Sequence, residues 1–191
     1  DVHLSSDEML MVIHDDNIDR TTNGIGAVNS LTLHQLKKFE INDKHKIPTL
    51  KEVFDLVNKR CFINIELKGI GTAKQTVLLI EQYVSEKKWT YSNFIVSSFD
   101  WNALQEVNSL NPEIPIGILT NTDIDLAFAF AKFINATSIH PYFHLLNDEN
   151  TKQIQEEGFL IYPWTVNELE DIKKIKSFNV NGIITDFPDR V

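Results

Sequence analysis

The chain has 191 residues, 42% of them hydrophobic and 24% charged, which suits a single domain with one sizeable core. Its formal net charge is -9 and its pI about 5.1, which argues against broad attraction to nucleic acid or anionic lipid. A single cysteine excludes an internal disulfide, and no apolar run is long enough to form a membrane span.

In chain order, Asp1–Leu4 and Met9–His14 read as two strand-like pieces joined by Ser5-Ser6-Asp7-Glu8, a hairpin. A turn-rich stretch from Asp15 to Asn29 follows, then a capped helix near 32–39 and a second over 49–58, with Thr49 and Glu52 as its cap. This excursion, about residues 15–60, is long for a strand-to-helix connection, and such excursions are usually functional or cover an edge. Apolar runs then recur at 61–67, 93–98, 115–119, 136–140, 159–164 and 181–185, their starts separated by 32, 22, 21, 23 and 22 residues. Cys61, heading the first of them, is expected to be a buried thiol. Phe128, Phe130 and Phe133 predict a buried helix. In 167–178, Leu169, Ile172, Ile175 and Phe178 fall near one helical face, Asn167 and Glu170 read as the cap, and Lys173, Lys174 and Lys176 suit the C-terminal end.

This cadence means parallel strands with crossover helices. It fits a doubly wound sheet or a (β/α)8 barrel. No glycine-rich nucleotide loop follows any strand. The C-terminal strand ends carry His14, Glu66 with Lys68, Ser97 with Ser98, Thr120, His140, Trp164 and Asp186. Polar and aromatic groups at one end of successive strands favour the barrel, so the prediction is an α/β, TIM-type barrel formed as one domain over 1–191.

In Asn64-Ile65-Glu66-Leu67-Lys68, strand periodicity puts Asn64, Glu66 and Lys68 on one face. Such a carboxylate and ammonium make either a structural ion pair or a ligand for a hard cation with an anion grip beside it. His14 stands at the end of a four-residue apolar run, followed by Asp15-Asp16-Asn17-Ile18-Asp19-Arg20-Thr21-Thr22-Asn23-Gly24.

Val12-Ile13-His14-Asp15 with Asp19-Arg20-Thr21-Thr22-Asn23-Gly24 resembles the signature of the glycerophosphodiester phosphodiesterase family. Ile47-Pro48-Thr49-Leu50 with Glu52, the Asn64-to-Lys68 string, Ser97-Ser98-Phe99, Trp164-Thr165-Val166-Asn167 and Gly182-Ile183-Ile184-Thr185-Asp186-Phe187-Pro188 resemble it too, in family order. The resemblance implies a (β/α)8 barrel with the excursion as a family-type insertion after the second strand. It implies hydrolysis of glycerophosphodiesters to glycerol 3-phosphate and an alcohol, a step of lipid and glycerol metabolism. By the same resemblance Asp1 and Glu66 are metal ligands, His14 is catalytic, and Lys68 and Trp164 contact phosphate and substrate. Oxygen ligands suit Mg²⁺ or Ca²⁺.

The family's first strand, ending in His-Arg-Gly, and the glutamate of its Glu-x-Asp motif do not occur here. The chain is therefore expected to be N-terminally truncated, with His3 a weak substitute for the missing histidine. Two alternatives stand beside the diesterase: a phospholipase D-like enzyme acting on intact lipids, and a non-catalytic phosphodiester-binding relative. The partner expected is a small-molecule phosphodiester and the expected location cytoplasmic.

Overall fold

A computed structural model describes residues 1–191, which form two compact units, Asp1–Ile114 and Pro115–Val191. The first opens with the expected hairpin. Strand β1 (Val2–Leu4) pairs antiparallel with β2 (Leu10–Val12), Val2 opposite Val12 and Leu4 opposite Leu10. The Asp7 carboxylate ties the turn down, accepting from Ser5 Oγ at 2.7 Å and Leu33 N at 2.8 Å.

The excursion carries helices α1 (Leu33–Leu36) and α2 (Leu50–Val57). Each begins at a threonine whose hydroxyl accepts the amide three residues on, while that residue's side chain returns the bond: Thr32 with Gln35, Thr49 with Glu52. Both are capping boxes, which satisfy amides that a helix start leaves open. The insertion packs on the hairpin through its own small core of Met11, Ile13, Ile18, Val28, Leu36 and Ile47. Residues beyond the hairpin are thereby held against the strand that delivers His14.

Strand β3 (Ile63–Glu66) pairs parallel with β4 (Phe94–Ser98), joined through helix α3 (Thr72–Lys87). Ala73, Val77, Ile80 and Tyr83 of α3 are buried, at the three- and four-residue spacing of one helical face. Phe54, Tyr83, Trp89 and Phe94 close this core, with ring centroids 4.8 to 5.7 Å apart. Buried aromatics of this size contribute about 1.5–3 kcal/mol each. Helix α4 (Trp101–Leu110) follows, capped by the Asp100 carboxylate, which accepts from Asn102 N and Ala103 N. Cys61 is exposed rather than buried, because it lies in the bend before β3 begins at Ile63.

In the second unit, strands β5 (Ile116–Thr120), β6 (Ser138–Pro141) and β7 (Leu160–Ile161) run parallel, Gly117 beside Ser138 and Ser138 beside Leu160. Their crossovers are helices α5 (Ile124–Phe133) and α6 (Asp148–Glu156). β5 and β6 are buried at every position, as strands covered on both faces are.

Four local expectations need correction here. Helix α5 is not buried along all three phenylalanines: Phe128 is buried against Phe159, but Phe133 is 72% exposed and packs beside Phe130. At 100° per residue, positions 128 and 130 lie on opposite faces. Helix α7 (Leu169–Ser177) buries Ile172 and Ile175 while Leu169 stands exposed, since a strict three-residue repeat drifts around the helix. Its N-cap is Glu168, without a side-chain bond; Asn167 instead accepts from Thr185 Oγ1 and Asp186 N. Residues 181–185 form no regular strand. Asn181 N and Ile184 N reach Ile161 O and Pro163 O, but Pro163 has no amide hydrogen with which to continue a ladder. No helix is long and apolar enough to cross a membrane.

Candidate active site

In the first unit the tip of β3 is seated on β1. The amides of Lys68 and Gly69 both donate to Val2 O, at 3.3 and 3.1 Å, and Leu67 N donates to Ser97 O at 2.8 Å. Alternation along β3 buries Ile65 and Leu67 and turns Asn64, Glu66 and Lys68 the other way, as the sequence predicts. From β2, the Ile13 amide donates to Asp1 O at 3.1 Å, bringing His14 alongside.

The result is a cleft of about 500 Å³ lined by His14, Glu66, Lys68, Asp16, Phe99 and Asp100, among others. Lys68 Nζ stands 3.5 Å from Glu66 Oε1 and 3.2 Å from His14 Nε2. Glu66 Oε1 is buried and accepts no hydrogen bond. Three of the five predicted site residues, His14, Glu66 and Lys68, are thus brought together, while Asp1 is placed through its carbonyl, which accepts from Ile13 N.

Trp164 belongs to the second unit. Its indole Nε1 donates to His140 O at 2.8 Å, and its ring packs against Tyr142 at 5.6 Å. Other polar residues at the strand ends are held within the fold. Ser97 Oγ donates to Asn64 Oδ1, Ser98 Oγ to Leu67 O and Thr120 Oγ1 to Asp123 O.

The sequence assigned no role to Asp15 and Arg20. Asp15 Oδ1 lies 2.6 Å from His14 Nδ1, and Arg20 grips the same carboxylate through Nε (2.6 Å) and Nη2 (3.0 Å). The guanidinium, and next the imidazole, hold the Asp15 carboxyl well below the usual carboxylate range. The adjacency of His14 and Asp15, with a cation five residues on, was the available signal. His3, weighed above as a substitute base, is buried, and its Nε2 is 3.2 Å from His14 O. A carbonyl only accepts, so Nε2 carries hydrogen, and burial keeps the imidazole below its ordinary range. His3 therefore anchors the backbone that presents His14.

No group of three or more His, Cys, Asp or Glu side chains gathers in a way that would hold a metal. The carboxylates lining the cleft are Glu66, Asp16 and Asp100, and Glu66 has a buried oxygen without a hydrogen bond. That set fits a hard cation completed by water and phosphate oxygens, as Mg²⁺ commonly is; nothing in it suits a thiophilic metal.

A carboxylate, an ammonium and an imidazole converge in this cleft, a charge pattern that suits an anion. The glycerophosphoryl diester phosphodiesterase family model matches residues 1–190, and the chain belongs to that family. A glycerophosphodiester phosphodiesterase of Caldanaerobacter subterraneus subsp. tengcongensis is 35% identical over 99% of this chain and 81% of its own. Among solved structures, a phosphodiesterase of Oleispira antarctica, in complex with the product sn-glycerol-3-phosphate, superposes with a TM-score of 0.87. It is 22% identical, over 99% of this chain and 80% of its own. The glycerophosphodiester phosphodiesterase of Thermotoga maritima superposes at 0.77 with 28% identity, over 97% of this chain and 79% of its own. Family and structural neighbours set the fold class as α/β of the TIM-barrel type.

Proposed function

We propose that the chain carries the metal-dependent hydrolysis of glycerophosphodiesters to glycerol 3-phosphate and an alcohol, residues 1–191 serving as one catalytic domain. The observation that carries this reading is the buried, unbonded Glu66 Oε1 beside Lys68 and His14 in one cleft. Asp1 and Glu66 would hold the cation, Mg²⁺ or Ca²⁺, which when bound neutralises phosphoryl charge as the ester bond breaks. Lys68 places its ammonium on a phosphoryl oxygen, in the role now taken by its contacts to Glu66 and His14. Water adds to phosphorus and gives up a proton to solvent, the P–O bond to the alcohol breaks, and the departing alkoxide takes a proton from His14 Nε2, which takes that proton up once Lys68 has turned to the phosphate. Trp164 is assigned to the substrate's surroundings on resemblance alone. The names of the family relatives, and the glycerol 3-phosphate held by the Oleispira antarctica enzyme, support this substrate class.

The test is glycerol 3-phosphate release from glycerophosphocholine and glycerophosphoethanolamine with Mg²⁺, Ca²⁺ or chelator. It is run on this chain and on a version extended upstream to supply a His-Arg-Gly segment. Turnover that chelator abolishes, and that His14→Ala lowers by about 10²-fold or more, is the expected result. No turnover by either form with any metal would leave a binding module. Choline release from intact lipid vesicles alone would favour the phospholipase D-like alternative.

A further inference from the structure

The His14 ring is 61% exposed, so packing alone does not choose which nitrogen carries its hydrogen. Its neighbours do. An ionised carboxylate only accepts, so at 2.6 Å from Asp15 Oδ1 the ring must donate from Nδ1. An ammonium only donates, so at 3.2 Å from Lys68 Nζ the ring must accept at Nε2. Arg20 occupies both Asp15 oxygens, at 2.6 and 3.0 Å, a bidentate geometry that keeps the carboxylate from rotating away. The His14 carbonyl is fixed in turn by His3 at 3.2 Å. Backbone, ring plane and tautomer are therefore each set by a separate contact.

We propose that Asp15, braced by Arg20, is a positioning residue that keeps hydrogen on His14 Nδ1 and leaves Nε2 as the atom that exchanges protons with the substrate. The role rests on the phosphodiesterase reading above. Nε2 is the nitrogen facing Lys68, and so faces whatever anion Lys68 binds. With Asp15 removed, the exposed ring would populate both tautomers and turn freely, and the proton would reach the alkoxide from a disordered donor. The two oxygen–guanidinium contacts lie at the surface, where ion pairs add little to stability, so their purpose is orientation.

Two readouts test this. The first is ¹⁵N NMR of the imidazoles in the full chain, which reports the tautomer whether or not the chain turns over substrate. Wild type should show His14 with Nδ1–H. Asp15→Ala should lose that signature, Asp15→Glu should retain it, and Asp15→Asn, whose amide can donate to Nδ1, should invert it. The second is kinetics in the form active under the preceding assay. On glycerophosphoethanolamine, Asp15→Ala should lower kcat about 10- to 100-fold with KM within about threefold, since general acid help is worth about 10²–10⁴. On glycerol 3-phosphate p-nitrophenyl ester, whose leaving group needs no proton, the loss should be under about threefold. Arg20→Lys should fall between wild type and Asp15→Ala. An unchanged tautomer in Asp15→Ala, or equal kcat losses on both esters, would overturn the proposal. Absence of all turnover would instead count against the phosphodiesterase reading, and the NMR signature would still decide where the hydrogen lies.

Discussion

Glu66 is where one residue could be doing either of two things. Its Oε1 is buried without a hydrogen bond, yet Lys68 lies 3.5 Å away. A structural ion pair and a cation ligand both fit the alternation of β3, and they differ in what Glu66→Gln should do. Breaking a buried structural pair leaves an uncompensated charge and costs about 3–5 kcal/mol. A ligand carboxylate held partly open for a cation contributes little to the fold, and losing it raises the cation requirement. Lys68 and Glu66 side chains keep 25% and 20% of their exposure, so an uncompensated Lys68 can reach water. Glu66→Gln is therefore expected to change urea-unfolding stability by less than about 1 kcal/mol. The Mg²⁺ concentration for half-maximal activity should rise by at least about tenfold, because one of two carboxylate donors is lost. A stability loss of several kcal/mol with an unchanged metal requirement would return Glu66 to a structural role.

Secondary elements were legible where a local rule governed them. The Thr49 and Glu52 capping box, the hairpin, and the shared face of Glu66 and Lys68 follow from neighbours a few residues apart, which sequence displays directly. The failures came where a side chain's position depended on a partner distant in sequence. Asn167 looked like a cap but is held by Thr185 and Asp186, and Cys61 looked like core because the start of β3 was set two residues early. In the candidate site, strand pattern singled out His14, Glu66 and Lys68 and the family resemblance supplied their expected roles; the Asp15 and Arg20 brace needed coordinates. The β5–β6 pair makes a similar point. An ideal Cβ on Gly117 would stand 2.5 Å from His140 Nε2 and 2.6 Å from Cε1, so glycine here leaves room for a ring on the adjacent strand. Gly117→Ala must move His140, whose Nε2 is 2.8 Å from Ser138 Oγ in the buried interior. The expected cost is about 1–3 kcal/mol of overpacking, read as a lowered urea midpoint with unchanged m-value. Gly117→Ala with wild-type stability would show that the ring relocates freely.

For the molecule as a whole, that same histidine shapes the response to acid. His140 is fully buried, and desolvation alone lowers its pKa from 6.5 to about 3. Burial pushes His3 down as well. Unfolded, both imidazoles gain protons as the pH falls through 6.5, while His140 in the folded chain stays neutral to about 3. Over that window the unfolded state binds more protons, so stability declines as the pH drops, by about 1.4 kcal/mol per pH unit for each proton so linked. Above pH 6.5 the effect vanishes, because the ring is neutral in both states. Paired carboxylates such as Asp15, Glu52 and Asp55, each held low by its partners, lose their contribution only at more acid pH, near and below ordinary carboxylate values. Urea titrations at pH 7.5, 6.0 and 5.0 should therefore show stability flat above about pH 7 and falling below it, well before carboxylates protonate. His140→Asn should remove about one proton's worth of that slope and leave the part due to His3. An equally steep decline in His140→Asn would mean that the buried imidazole does not govern acid unfolding.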